Sequence, residues 1–88
     1  MGLKLKISLN SGETHELKIT PVIEYAFELH AKKSYSRAFI EDQKQTDVYW
    51  LAWECLRKSG ITVPTFGASF MDTLAKVEVL GDEDNPNS

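Results

Sequence analysis

His15, His30 and Cys55 are the side chains of this sequence able to act as nucleophile, base or metal ligand near neutral pH, and Glu41-Asp42 is its internal pair of adjacent carboxylates. A cysteine beside a histidine makes a thiolate nucleophile with its base. Two histidines and a cysteine make most of a zinc site. Neither arrangement fits the spacing. The three residues fall on three different predicted elements, and no two stand at H-x₃₋₅-H or C-x₂₋₄-C. Cys55 sits in the middle of an apolar helical arc, where a thiol is a buried, inert core group. Glu41-Asp42 lies in a polar run without the apolar wall that shifts a carboxyl pKa. There is no glycine-rich phosphate loop. The acidic tail lacks the spaced ligands and closing Glu of a calcium loop. These residues predict no catalytic site, no metal and no cofactor.

The aromatics suggest another kind of work. Asp47 to Ser59, DVYWLAWECLRKS, reads as a helix, and its Leu51, Cys55, Val48, Ala52, Leu56, Tyr49 and Trp53 fill one continuous arc. That arc is roughly twice the ~100° one packing face uses. Trp50 falls outside it, among Asp47, Glu54, Arg57 and Lys58. Such a helix either runs through the middle of the domain or keeps apolar surface for a partner. Trp and Arg dominate protein–protein contacts, and Arg57 follows Trp53 by one turn, the spacing of a cation–π pair. Tyr49, Trp50, Trp53 and Arg57 are therefore the candidate protein-interaction residues.

The elements around this helix follow from periodicity. Leu3, Leu5, Ile7 and Leu9 alternate with Lys4, Lys6 and Ser8, and His15, Leu17 and Ile19 alternate over Thr14–Ile19. With the turn signal Asn10-Ser11-Gly12 between them, residues 3–19 form a hairpin. Matching the apolar faces puts Leu9 opposite His15, Ile7 opposite Leu17 and Lys6 opposite Lys18, with Lys4, Lys6 and Lys18 guarding its edges. Thr20-Pro21 opens a helix over 21–31, with Val22, Ile23, Ala26, Phe27 and Leu29 as its buried face. A short helix over 36–42 is anchored by Tyr35, Phe39 and Ile40. Thr46 caps the central helix over 47–59, and Gly60 ends it. Phe66, Phe70, Leu74 and Val77 recur at three and four residues and predict a last helix over 65–76. Residues 77–80 read either as its last turn or as a short extended piece. Gly81 to Ser88, without an apolar residue, is a disordered acidic tail. The fold class is α+β: one domain over 1–80, an N-terminal β-hairpin packed on a small bundle of three to four α-helices.

Composition narrows the functions. At 88 residues and net charge −3, the chain is one small domain without the basic stripe of a nucleic-acid binder. No apolar run approaches a membrane span. One cysteine allows no internal disulfide, and MGLKLKISLN lacks a signal-peptide core. A cytoplasmic setting is expected.

The order of these pieces resembles the tail assembly chaperones of long-tailed phages, especially small ones from phages of Gram-positive hosts such as actinobacteria. The residues that carry the likeness are Leu51-Ala52-Trp53, Leu56-Arg57 and Gly60 in the central helix, then Phe66, Phe70, Asp72, Leu74, Val77 and Glu78. With the strand–turn–strand SGETHELKITP before them and the acidic Asn/Pro tail after, the resemblance covers nearly the whole chain, as a packing pattern rather than a catalytic signature. The resemblance implies a non-enzymatic protein that binds the tape measure protein in the cytoplasm of the infected host. It would keep that client soluble while tube subunits polymerise, and be absent from the mature virion. It also implies self-association into a homo-oligomer, and a frameshift-extended longer form that meets the tail tube protein. Rival readings are a structural head–tail or tail component of the virion, and a small regulatory protein.

Overall fold

The computed structural model describes residues 3–34 and 44–80. The fold class is α+β, as expected, but the sheet has three strands. Strands β1 (Lys4–Leu9) and β2 (Thr14–Lys18) form the hairpin; helices α1 (Pro21–Ala31), α2 (Gln45–Lys58) and α3 (Ala68–Met71) follow; β3 (Leu74–Leu80) ends the domain. The strand order is β2-β1-β3, so β1 is central and antiparallel to both neighbours. The expected helix over 36–42 and the tail over 81–88 lie outside the described residues.

The hairpin register differs from the expected one by two residues. Lys6 faces Glu16, Ile7 faces His15 and Leu5 faces Leu17. A two-residue slip keeps every side chain on its face. It also puts Lys6 opposite Glu16, and the like-charge pair moves to Lys4 and Lys18 at the end of the hairpin. The loop moves from the expected Ser11, Gly12 and Glu13 to Asn10, Ser11 and Gly12, closed by the Leu9 N–H donating to the Glu13 carbonyl at 2.9 Å. Gly12 sits at φ +100°, a conformation that disfavours any residue with a Cβ. Lys4 and Lys6 thus stand on the central strand, not on an edge.

The last third of the chain departs most from expectation. In place of a helix over 65–76, one helical turn at Ala68–Met71 gives way to β3. Thr73 marks the switch: its Oγ1 donates to the Phe70 carbonyl at 2.7 Å, and its own carbonyl accepts the Asn10 N–H at 2.8 Å. Leu74 and Val77 suit a helical face or a strand. The open hydrogen-bonding edge of β1 decides for the strand, where the β-branched Val77 and Val79 pack well. Val77 lies opposite Ile7 and Val79 opposite Leu5.

α2 covers the inner sheet face. Leu5, Ile7, Ile19, Ile23, Phe27, Trp50, Leu51, Ala52, Cys55, Leu56 and Phe70 form one buried cluster. Buried residues lie on nearly every side of α2, including Trp50 and Glu54, so this helix runs through the middle of the domain. It begins two residues before the expected start, after Lys44 rather than on a Thr46 cap. Asp47 in its first turn meets Lys33 at 2.9 Å, fastening the end of α1 to the start of α2.

Candidate interaction surface

The candidate aromatics form a spine rather than a patch. Trp50 is 8% exposed, and its indole stacks on His30 at 4.5 Å between centroids, 10° from parallel. Phe27 lies 6.1 Å away and Trp53 5.9 Å away. Trp53 is half-buried. Its Nε1 donates to the Pro64 carbonyl at 2.8 Å, and its ring meets the edge of Phe66 at 5.7 Å. Phe66 continues the series to Phe70 at 6.1 Å. The spine joins α1, α2, the extended segment before α3, and α3 itself. Trp50, expected at an interface, is thereby enclosed by its own chain; Tyr49 is half-buried.

Arg57 does sit as its spacing predicted. Its guanidinium lies 4.7 Å from the Trp53 ring centroid, and its Nη1 donates to Glu54 Oε1 at 2.6 Å. The Glu54 carboxylate is buried and Arg57 about half exposed. This pair shields Trp53 from above while giving a buried charge its counter-ion.

Among the described residues, the main exposed apolar surface lies instead on α1. Val22, Tyr25 and Leu29 are 58%, 67% and 61% exposed. Positions i, i+3 and i+7 place them on one stripe of the helix. Ile23 and Phe27, roughly opposite, are the residues α1 buries. By helix geometry Ala26 and His30 lie between the stripe and this buried face. Val22 shares an open cleft with Leu17, Lys18, Thr20, Ile23 and Cys55, between β2 and the end of α2. Sequence reasoning assigned Val22 and Leu29 to the core and passed over Tyr25. The signal was present, because the apolar arc of α1, counted with Tyr25, is as over-wide as that of α2.

The chemistry of the remaining candidates follows from burial. Cys55 is 1% exposed, and its pKa is pushed up to about 12, first by burial and then by the Glu54 carboxylate. The thiol is protonated at neutral pH and reaches no substrate. His15 Nε2 stands 3.8 Å from Glu13 at the hairpin end, and His30 is occupied by its stack. Among the described residues, no three His, Cys, Asp or Glu side chains gather as metal ligands. No described helix is long and apolar enough to cross a membrane. No protein family, characterised protein or solved structure matches this chain.

Proposed function

We propose that this chain is a non-catalytic tail assembly chaperone of a long-tailed phage, which binds the tape measure protein in the infected cell and keeps it soluble until the tube encloses it. The observation that carries the reading is the Val22, Tyr25 and Leu29 stripe. Three large apolar side chains at helical spacing, held open on a helix whose other face is anchored, match an apolar segment of a partner chain. The likeness of the Leu51-Ala52-Trp53, Leu56-Arg57 and Gly60 series to that family supplies the identity of the partner. The spine of Trp50 and Trp53 supports α1 from behind, so the aromatics act by holding the docking helix. A longer, frameshift-extended form would carry a second contact, to the tail tube protein.

Co-expression with the long tail protein encoded beside this chain tests the reading. The soluble fraction of that protein should rise, and the two should co-purify. A Val22→Ser/Tyr25→Ser/Leu29→Ser variant should fold and lose both effects. An insoluble client with nothing co-purified overturns the assignment. Recovery of the chain from purified virions would replace it with a structural component of the tail.

A further inference from the structure

The geometry points to a two-fold dimer in which β3 of one copy pairs antiparallel with β3 of another, centred on Val77, making one continuous six-stranded sheet. This names a surface for the self-association that the resemblance to tail assembly chaperones implies, and rests on the proposed function only for its purpose.

Three observations carry it. First, among the described residues β3 is an edge of the sheet, and the backbone groups it turns away from β1 can be identified. The Leu9 N–H donates to Glu13 and the Ile19 N–H to Leu3, so odd-numbered residues of β1 exchange hydrogen bonds with β2. Even-numbered residues of β1 then turn to β3, where Lys4, Lys6 and Ser8 face Leu80, Glu78 and Lys76. Val77 and Val79 therefore turn their N–H and C=O groups away from β1, ready for another strand.

Second, the charges are self-complementary. About a two-fold axis at Val77, Lys76 of each copy lies opposite Glu78 of the other, twice per interface, on the open face of the sheet. Within one chain the two already lie 3.3 Å apart, with side chains 66% and 40% exposed, so exchange across the axis costs little desolvation. Moving the axis by one residue, to Glu78, would set Glu78 against Glu78.

Third, the same register gives the exposed apolar residue of this strand a place. Val79, 41% exposed, comes level with position 75 of the other copy, where the strand's irregularity begins. The usual guards of an edge are weak here. β3 contains no proline, its two charges are of opposite sign, and its register irregularity is confined to its start, level with Ser8 and Leu9. The lysines Lys4 and Lys6 sit on the central strand and protect neither edge. In the strand order β2-β1-β3, the new interface lies on the edge away from β2, whose end borders Val22. Pairing through β3 leaves the α1 stripe open in both copies.

The test is the mass of the full chain by light scattering across a concentration series, with charge variants. The wild type should give twice the 10.0 kDa chain mass at high concentration and dissociate on dilution. Lys76→Glu and Glu78→Lys each place like charges opposite one another twice and should give monomer. The double variant Lys76→Glu/Glu78→Lys restores the opposition and should recover the dimer. A wild type that stays monomeric up to millimolar concentration overturns the proposal. So do folded single variants, checked by circular dichroism, that keep the wild-type mass, and so does dissociation by Glu16→Lys on the β2 edge instead. A dimer that meets all these conditions yet leaves the client insoluble would uphold the interface and reject the chaperone. A monomer that solubilises the client would do the reverse.

Discussion

His30 lies flat against Trp50, linking the last turn of α1 to the centre of α2 through two parallel rings 4.5 Å apart. A ring pair of this kind adds about 0.5–1.5 kcal/mol beyond the area it buries. Here it also sets the angle at which α1 presents its exposed stripe. Trp50→Ala should lower stability by about 3 kcal/mol, near the range for removing a buried large side chain. Leu51→Ala, fully buried, should cost a similar amount. Equilibrium urea unfolding of both variants checks this. A Trp50→Ala protein as stable as wild type but defective in partner binding would return Trp50 to an interface role.

The Arg57–Glu54 pair is expected to matter more to Glu54 than to Arg57. Arg57→Ala leaves a buried carboxylate without its counter-ion. Breaking a fully buried pair costs about 3–5 kcal/mol; with Arg57 half exposed to water, a loss of about 2 kcal/mol is expected. Arg57→Ala/Glu54→Gln should recover part of that loss, because the buried charge is gone as well. A double-mutant cycle in chemical denaturation measures the coupling.

Cys55 gives a pH signature. Its folded-state pKa, about 12, lies above the ordinary value of 9.0. Between these two values the unfolded thiol has lost its proton and the folded one has kept it. Its contribution to stability is therefore complete below pH 9 and falls as pH rises towards 12. Cys55→Ala should be less stable than wild type at pH 7, and the gap should narrow above pH 9. In native protein at pH 7.5, iodoacetamide should label Cys55 only at the rate of unfolding. Fast labelling would mean that the core opens at this point.

The α1 stripe should be functionally sensitive and structurally tolerant. Val22→Ser, Tyr25→Ser and Leu29→Ser should each change stability by no more than about 0.5 kcal/mol, the usual range for exposed positions. Ile23→Ser, on the opposite face of the same helix, should unfold the domain. Thermal melts of the four variants, set beside client solubility, separate surface from core.

Much of this architecture was legible because each feature depends on near neighbours in sequence. The alternation of Leu3, Leu5, Ile7 and Leu9 assigned both faces of β1, and Thr20-Pro21 located the start of α1. The failures share a different cause. The periods of Leu74 and Val77 fit helix and strand alike, and the choice was made by an open edge on β1, far away along the chain. Trp50 appeared among charged residues on the wheel, yet His30 and Phe27 from α1 enclose it. Glu54 looked solvated until Arg57 covered it. In α1 the error ran the other way: Val22 and Leu29 are apolar enough for a core, but among the described residues the helix buries its Ile23 and Phe27 face and leaves theirs open. Periodicity tells which residues share a face; it does not tell how many faces are covered.

The central place of β1 has a consequence in time. The hairpin of β1 and β2 leaves the ribosome before β3, with more than 50 residues separating the end of β2 from the start of β3. At about 5–20 residues per second, roughly 3–11 s pass between the emergence of the hairpin and the arrival of the strand that completes its sheet. For that interval Leu5 and Ile7 belong to a hairpin with an unpaired side and an incomplete covering of helices. A lone hairpin is marginal in water, so cooperative folding is deferred until the final strand is free to return. A stop codon or cleavage before residue 74 would yield not a smaller version of this domain but an exposed adhesive edge.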